Sequence, residues 1–357
     1  MTSGVDSPLP HALPDSDHER PTLKTIAAET GLAVATVSRA LKDAPDIGEA
    51  TKRRVREAAA RLGYRPNRAG VRLRTGKTNV IALVLSTESD VMNHTSQLIY
   101  AIANALRGTA YHLIVTPFFP DQDPMDPIRY LVETESADAI ILNQTKPDDP
   151  RVRYMAERHF PFATHGRTEM GIDHSYYDFD NETFGAVAVE ALAAAGRKRL
   201  LLVPPPRTHS YSRHMTSGFV RAAGECGLAV EVLTTATSDS GGAVIEAAVR
   251  AHLAQSNPRP DGLLCGSTTA AMAAVNAAED LGMVLGRDFD VVAKEAIRFL
   301  HRFRREILVV QEDVHEAGDF LAHAVVAAIE HRDTPAKQGL ERPGPVARAN
   351  DVKGGPQ

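Results

Sequence analysis

The chain has 357 residues, 43% of them hydrophobic and 24% charged, and its 40 Lys/Arg and 45 Asp/Glu give a formal net charge of −5. This length exceeds a typical single hydrophobic core, so we expect more than one domain. Only two cysteines are present, which excludes a disulfide framework and fits a reducing cytoplasm, and no apolar run approaches the length of a membrane span. We therefore expect a cytoplasmic protein without a membrane partner.

Residues 1–19 are rich in Pro, Asp, Ser and His and lack both apolar periodicity and the basic-then-apolar pattern of a secretion signal. We expect a disordered tail over 1–19. The last residues, 349–357, contain Gly and Pro and no apolar period, which favours a second flexible tail.

Residues 20–66 predict a small three-helix headpiece. Ala27, Gly31 and Val37 have the spacing of a helix-turn-helix, with a small residue where two helices touch, a turn glycine that adopts positive φ, and a buried valine. A third helix is predicted from Glu49 to Leu62, ending at Gly63.

The charge of this headpiece differs from that of the rest of the chain. Arg20 to Thr78 contains fourteen Lys/Arg and five Asp/Glu, a net charge of +9, although the whole chain is at −5. Such a face neutralises DNA phosphates and releases counterions. A solvated basic helix face is the alternative, but the helix-turn-helix spacing favours double-stranded DNA as the partner.

The segments ATVSRAL, YRPN and RTGK resemble the lactose-repressor/galactose-repressor (LacI/GalR) family of bacterial transcription regulators. The resemblance implies that Val34, Ala35 and Arg39 face base edges in the major groove, and that the phosphates are held by Thr22, Thr36, Ser38, Tyr64 and Asn67. Arginine reads guanine O6 and N7 with two hydrogen bonds, so specificity should depend on Arg39. The family normally has a Ser or Thr cap at the position of Ala33, whose absence costs about 1 kcal/mol.

Residues 67–78 are predicted to be a hinge helix and linker, and Asn67 to Arg74 resembles the family's hinge helix, which orders only on DNA. The resemblance implies that Leu73 enters the minor groove at the operator centre and kinks the duplex. Without the family, Leu73 reads as an ordinary linker residue. A helix this short is unstable alone in water, which fits ordering on DNA.

Residues 79–348 alternate apolar runs with amphipathic stretches. Buried strands are predicted at Val80–Ser86, Tyr111–Thr116, Ala139–Asn143, Leu200–Val203, Gly262–Cys265, Asp290–Ala293 and Ile307–Gln311, and helices at Gln97–Arg107, Phe184–Ala195, Ala243–Gln255 and Thr269–Leu281. This alternation predicts an α/β body with parallel sheets, and a fresh start near Arg199 predicts two similar lobes. The resemblance implies the periplasmic-binding-protein-like fold, with a ligand-binding and dimerisation role for 79–348.

Open parallel sheets bind ligands beyond the carboxyl ends of their strands. This rule nominates polar residues that follow the predicted strands, including Gln144 and Tyr211, and we predict as ligand-binding residues Ser86, Phe118, Asp121, Asn143, His165, Arg167, Arg213, His214, Ser267, Lys294, Glu295 and Glu312. Arg167 is expected to point into the cleft as a multi-donor fork, or alternatively to form a surface pair with Glu169. Phe118 or Phe119 offers an apolar face for a sugar ring, or else packs in the core.

Several positions depart from the family's sugar-binding pattern. Met215 stands where the family usually has arginine, Ser267-Thr268 replaces an asparagine-aspartate pair, and Lys294-Glu295 replaces an aspartate. A sugar, polyol or sugar derivative is the expected effector, while the lysine also suits an acidic or phosphorylated ligand. The residues leave open the identity of the effector, whether it releases or promotes DNA binding, and the operator and genes concerned.

No nucleophile elbow, P-loop or dinucleotide fingerprint is present, so no catalytic residue, enzyme activity or cofactor is expected. The pairs His165/His174 and His209/His214 match no standard metal-site spacing, and no metal is predicted. One headpiece makes too few base contacts for tight specific binding, so we expect a homodimer on a pseudopalindrome, most simply as a repressor. An architectural DNA-binding protein and a solute-binding protein are the alternatives.

Overall fold

In the computed structural model, residues 21–64, 76–87, 92–119, 121–300, 304–331 and 333–348 are described. The pattern of contacts divides the chain into two units, Met1–Lys77 and Thr78–Gln357. The predicted tails 1–19 and 349–357, and most of the predicted hinge, lie outside the described residues.

The first unit contains three helices, α1 (Leu23–Thr30), α2 (Val34–Leu41) and α3 (Glu49–Arg61). Ile26, Val37 and Val55 are fully buried in its core. Gly31 ends α1 at φ 65° and Gly63 follows α3 at φ 64°, a conformation that glycine adopts without steric cost. The predicted helix-turn-helix and its third helix are confirmed.

Ala33 occupies the N-cap of α2 and forms no side-chain hydrogen bond to the helix. In contrast, Thr22 caps α1, because its hydroxyl accepts from the amide of Thr25 while its own amide donates to the Thr25 hydroxyl. Helix α2 therefore begins without the N-terminal side-chain cap that stabilises α1.

The second unit contains two six-stranded sheets. The first runs in the order β11-β5-β4-β3-β1-β2 and the second in the order β12-β10-β9-β8-β6-β7. The strands are β1 (Val80–Ser86), β2 (His112–Phe118), β3 (Ala139–Leu142), β4 (Phe162–His165), β5 (Ser175–Phe179), β6 (Arg199–Val203), β7 (Ala229–Val232), β8 (Gly262–Cys265), β9 (Asp290–Glu295), β10 (Leu308–Gln311), β11 (Gln338–Glu341) and β12 (Ala347–Arg348). Apart from the antiparallel β10–β12 pair, the paired strands are parallel.

Helices cover the sheets on both faces, and each sheet has a separate apolar core on either side. They are α4 (Met92–Ala105), α5 (Met125–Glu133), α6 (Pro150–Glu157), α7 (Asn181–Ala194), α8 (Ser210–Glu225), α9 (Gly242–Gln255), α10 (Thr268–Glu279) and α11 (Val314–Glu330). The predicted α/β body with two parallel sheets is confirmed. In the described ranges no helix is long and apolar enough to cross a membrane.

Two expectations about the strands need correction. The run at Tyr111–Thr116 was predicted to be buried, but β2 is an edge strand whose side chains are exposed or half-buried. Five strands were not predicted from apolar runs: β4, β5, β7, β11 and β12 are short, and all except β4 lie next to an edge or at one. The edge strands β7, β11 and β12 need little apolar sequence, because only one neighbouring strand covers each of them. Strands β4 and β5 have two neighbours and are mostly buried, but polar residues such as Thr164 and Asp178 interrupt their apolar sequence.

The second lobe begins before Arg199, the predicted start, because helix α7 already packs in the core of that lobe. Phe184 and Leu192 of α7 share a core with Phe219 and Leu264 of the second lobe. Later, α11 returns to the first lobe, β11 joins the first sheet and β12 joins the second. Within the described ranges the chain thus crosses between the lobes three times, after β5, after β10 and after β11.

Candidate DNA-binding face and ligand cleft

Helix α2 buries one side and exposes the other. Val37 and Ala40 are fully buried, whereas Val34 is 41% exposed, and Ala35 and Arg39 are exposed beside it. An exposed valine at the start of a helix adds nothing to the headpiece core. The structure therefore places the predicted base-reading residues together on one solvent-facing surface.

Arg39 forms an ion pair with Asp46, and both side chains remain about half exposed. Other cations of this unit are also paired internally: Lys52, only 5% exposed, lies 2.8 Å from Glu49 and 3.0 Å from Asp43. The local net charge therefore overstates the number of cations that face solvent freely.

The predicted phosphate-binding residues have mixed surroundings. Thr22 is exposed, Thr36 and Ser38 are half-buried, and Tyr64 packs partly against the headpiece core, where burial raises the pKa of its hydroxyl. Asn67 and Leu73 lie outside the described residues.

A cleft lies where the carboxyl ends of the strands of both lobes meet. It encloses about 700 Å³ free of protein atoms, counting the solvent in its open mouth. Its lining consists of His94, Asn143, Gln144, His165, Gly166, Asp178, Phe179, Asn181, Tyr211, Asp239, Gly266, Ser267, Lys294 and Glu312. Five predicted ligand-binding residues are therefore brought together: Asn143, His165, Ser267, Lys294 and Glu312.

The Lys294 ammonium is held on several sides. Its Nζ lies 2.8 Å from Oε2 of Glu312, 3.4 Å from Oδ1 of Asn181, and 4.8 Å from the centre of the Phe179 ring. Burial opposes the charge of Glu312, but Lys294 and His94 outweigh it and hold the pKa of this carboxyl well below its ordinary value. The charge of Lys294 is thus already neutralised by the protein.

Two histidines flank the other oxygen of Glu312. Nε2 of His94 lies 3.4 Å from Oε1 of Glu312, and the rings of His94 and His165 are 5.0 Å apart. Burial, reinforced by His94, lowers the pKa of His165 to about 3, so its imidazole is neutral. The ligand atoms of His94, His165 and Glu312 all lie within 4.8 Å of one another, the grouping among the described residues that has the composition of a metal site.

Oδ1 of Asn143 is an acceptor in the cleft that is buried without a partner, whereas Oδ2 of Asp178 is buried in an ion pair with Arg167. Asn143 is 3% exposed. Burial raises the pKa of the Asp178 carboxyl to about 7, even though Nε of Arg167 lies 3.1 Å from Oδ2 and favours the charged form. Leaving a buried acceptor unpaired costs about 1–3 kcal/mol, which a donor on a bound ligand recovers.

Arg167 does not line the cleft, although it was predicted to point into it. It pairs with the lining residue Asp178 rather than with Glu169, which instead contacts Arg213 at 2.9 Å. Arg213 is exposed, and it lies roughly opposite Tyr211 on helix α8, so that Tyr211 faces the cleft and Arg213 does not. His214 also lies outside the lining, and burial lowers its pKa.

Glu295 is likewise placed outside the cleft. Its carboxylate accepts hydrogen bonds from the amides of Phe299 and Leu300 and from the side chain of Gln311. Side chains alternate along a strand, so Lys294 and Glu295 face opposite ways and only Lys294 reaches the cleft. The rule that ligands bind beyond strand ends could not show whether Lys294 or Glu295 faces the cleft.

Three further predicted positions lie outside the lining. Ser86 is buried at the end of β1, Phe118 packs partly against a core of the first lobe, and Asp121 is exposed. Phe119 is 54% exposed, so Phe118 is the one of the two that packs in the core. Strand β2 is the outermost strand of its sheet, which carries the residues at its end away from the centre.

His94, Asp178, Asn181 and Asp239 line the cleft but were not predicted. Asp178 lies in β5 and Asn181 just after it, in a stretch without an apolar run. If SYYDF had been recognised as a strand, the rule that ligands bind beyond strand ends would have indicated Asp178 and Asn181. His94 and Asp239 carry no comparable signal, since His94 lies on α4 and Asp239 in a loop.

The histidine pairs considered in the sequence are separate in the structure. His174 hydrogen-bonds to Thr164 at 3.0 Å and to the carbonyl oxygen of Ile172 at 2.9 Å, as a structural residue does. His209 stacks on Tyr211 with ring centres 5.4 Å apart. His165 has His94 and Glu312 as neighbours instead.

Comparison with known proteins gives matches for both the headpiece and the body. Residues 22–67 match the family described as bacterial regulatory proteins, lacI family, and residues 78–311 match the family described as periplasmic binding proteins and sugar binding domain of LacI family. The HTH-type transcriptional regulator AglR of Rhizobium meliloti (strain 1021) is 30% identical over 339 residues, covering 92% of this chain and 93% of that protein. RafR of Escherichia coli, also an HTH-type transcriptional regulator, is 37% identical over 208 residues, covering 58% and 62%.

Solved structures agree in fold. The lac repressor dimer bound to operator and the anti-inducer ONPF has a TM-score of 0.81 at 18% identity, covering 93% of this chain and 99% of that one. The transcriptional regulator CelR–cellobiose complex has a TM-score of 0.65 at 22% identity, covering 91% and 98%. The headpiece, the two-sheet body and these matches show that the chain belongs to the LacI family of bacterial transcription regulators and carries that family's sugar-binding domain.

Proposed function

We propose that this protein is a ligand-responsive repressor that binds a pseudopalindromic operator as a homodimer and takes an uncharged sugar or polyol as its effector. The observation that carries the effector assignment is a buried, unpaired acceptor in the cleft, Oδ1 of Asn143. A ligand that donates a hydrogen bond satisfies it, and sugar hydroxyls do so.

For DNA, we assign base contacts to the exposed side chains of α2. Arg39 reads guanine with two hydrogen bonds once it leaves Asp46, while Val34 and Ala35 make apolar contacts with thymine methyl groups. We assign phosphate contacts to Thr22, Thr36, Ser38, Tyr64 and Asn67. Leu73 is assigned to insertion into the minor groove.

The homodimer follows from the size of the headpiece. Three short helices present few base contacts, and two copies related by a two-fold axis double them on a symmetric site. The lac repressor structure to which this chain is similar is a dimer bound to operator, which supports this proposal. We assign 20–66 to the headpiece, 67–78 to the hinge, 79–348 to the effector and dimerisation body, and 1–19 and 349–357 to tails.

The charge balance of the cleft decides against a phosphorylated or acidic effector. Asp178, Asp239 and Glu312 line it, and the ammonium of Lys294 already lies 2.8 Å from Glu312. A phosphate would meet carboxylates without a free cation among the lining residues described. CelR, whose structure is a cellobiose complex, supports a neutral carbohydrate. We infer a cytoplasmic location, because that is where a bacterial repressor meets its operator.

Effector and operator are coupled through the body. The cleft is formed by both lobes, so a ligand that binds it favours one relative orientation of the lobes, and we infer that this orientation sets the affinity for DNA. Linkage then requires operator DNA to change effector affinity by the same factor.

Fluorescence anisotropy tests the DNA assignment. A symmetric duplex selected from a random library and a scrambled duplex of equal composition are titrated over a range of salt concentrations. We expect tight binding to the selected duplex and weak, strongly salt-dependent binding to the scrambled one. Equal affinities would show an architectural DNA-binding protein and overturn the repressor assignment.

A thermal-shift screen tests the effector assignment. Neutral sugars and polyols are compared with sugar phosphates and sugar acids, and any hit is added to the DNA titration. We expect a neutral compound to raise the melting temperature and to change affinity for the selected duplex. Stabilisation by the charged compounds alone would contradict the assignment.

A further inference from the structure

The side chains of His94, His165 and Glu312, called here the His-His-Glu cluster, come from three elements. His94 lies on α4, His165 ends β4, and Glu312 follows β10 at a crossing between the lobes. Both imidazoles and the carboxylate line the cleft. Their meeting at one point is therefore a product of the fold rather than of a local sequence motif.

The geometry of the cluster is close to that of a zinc site. Zinc binds imidazole nitrogen and carboxylate oxygen at about 2.0–2.2 Å, so two ligands of a tetrahedral ion lie about 3.4 Å apart. Nε2 of His94 and Oε1 of Glu312 already have a separation of 3.4 Å, and all three ligand atoms lie within 4.8 Å of one another. A movement of one ligand atom by at most about 1.4 Å, the difference between 4.8 and 3.4 Å, closes the remaining gap.

Lys294 uses the other oxygen of Glu312. It contacts Oε2 at 2.8 Å and has Asn181 as a second partner at 3.4 Å. The Glu312 carboxylate is thus fixed from behind, as ligands of metal sites commonly are, while Oε1 points towards the histidines. The competing explanation is a metal-free chain of ion pairs from Lys294 through Glu312 to His94.

We propose that the His-His-Glu cluster binds Zn²⁺ and leaves one coordination position open to the cleft. Two imidazoles and one carboxylate form a donor set that suits zinc, whereas Ca²⁺ and Mg²⁺ prefer oxygen ligands. Three protein ligands with an open position leave room for a water molecule or a ligand hydroxyl.

Isothermal titration of the untagged, metal-free full chain with zinc chloride tests the proposal. We expect one high-affinity equivalent per chain, weakened at least about 100-fold in His94→Ala and in Glu312→Gln, since loss of an outer partner alone costs 10–100-fold. His323→Ala is the matched control, because His323 is an exposed histidine on α11 outside the cluster. Equal zinc affinity in His94→Ala and the wild type, or no saturable uptake by the wild type, overturns the proposal.

Cobalt provides a second measurement that does not depend on the variants folding. Co²⁺ added to the wild-type protein should give the intense visible absorption of a four-coordinate site, and zinc should displace it. A spectrum equal to that of aqueous Co²⁺ overturns the site. Anisotropy with the selected duplex in the presence of a chelator separates this proposal from the repressor assignment, since the proposed DNA-binding residues lie in the first unit, outside the cluster.

Discussion

The DNA-binding face and the ligand cleft differ in how the chain supplies their residues. Helix α2 carries Val34, Ala35 and Arg39 within one and a half turns, and two neighbouring helices are enough to hold it. The cleft collects residues from His94 to Glu312, contributed by both lobes. The first site is local in sequence and exposed, and the second is assembled by topology and partly buried. Local substitutions should therefore act separately in the two sites.

The largest effect is expected on DNA. Arg39→Ala removes a bidentate guanine contact worth about 1–3 kcal/mol of discrimination in each headpiece, or about 2–6 kcal/mol in a dimer. Anisotropy should show the loss on the selected duplex and only a small loss on the scrambled one, with effector affinity unchanged. Similar losses on both duplexes would mean that Arg39 contacts phosphate rather than a base.

The next effect is expected in the cleft. Asn143→Ala removes a buried acceptor that the ligand satisfies, which should weaken binding of the sugar or polyol found by screening by about 1–3 kcal/mol. Calorimetry measures the change, and Asn276→Ala, an exposed asparagine on α10, is the matched control. If both variants bind the ligand equally well, Asn143 has no role in recognition.

A smaller effect concerns pH. Burial raises the folded-state pKa of Asp178 from 3.8 to about 7, so the folded protein binds this proton more tightly than the unfolded chain. Stability from this group is present at low pH and is lost as pH rises through about 7. The melting temperature of the wild type should therefore fall relative to that of Asp178→Asn as pH is raised towards 8. Parallel pH profiles would contradict a raised pKa.

The smallest effect is expected at the start of α2. Ala33→Ser supplies the missing N-cap hydroxyl and should raise the free energy of unfolding of the headpiece by about 1 kcal/mol. Hydrogen exchange of the headpiece amides, measured over a series of urea concentrations, gives this free energy of unfolding. No gain would show that the backbone at residue 33 cannot present the hydroxyl to the helix.

The same contrast explains what the sequence could and could not predict. The headpiece followed from Ala27, Gly31 and Val37, because a helix-turn-helix depends on residues a few positions apart. Strand ends led to Asn143, Ser267 and Lys294, which line the cleft, because parallel strands present their carboxyl ends at one edge. A single sequence does not show which face of its strand Glu295 occupies. Nor does it show that Arg167 pairs with Asp178 or that His94 approaches Glu312, because these contacts depend on how the elements pack.

The three crossings between the lobes also constrain how the protein is made. The core of the first lobe includes Leu321 and Val325 of α11 together with Leu98 and Ile102, residues separated by more than half of the body. A nascent chain emerging from the ribosome cannot complete this lobe until its carboxy-terminal helix has been translated. Neither lobe can therefore be produced as an uninterrupted fragment, and a truncation before Val314 would unfold the part of the body that is synthesised first.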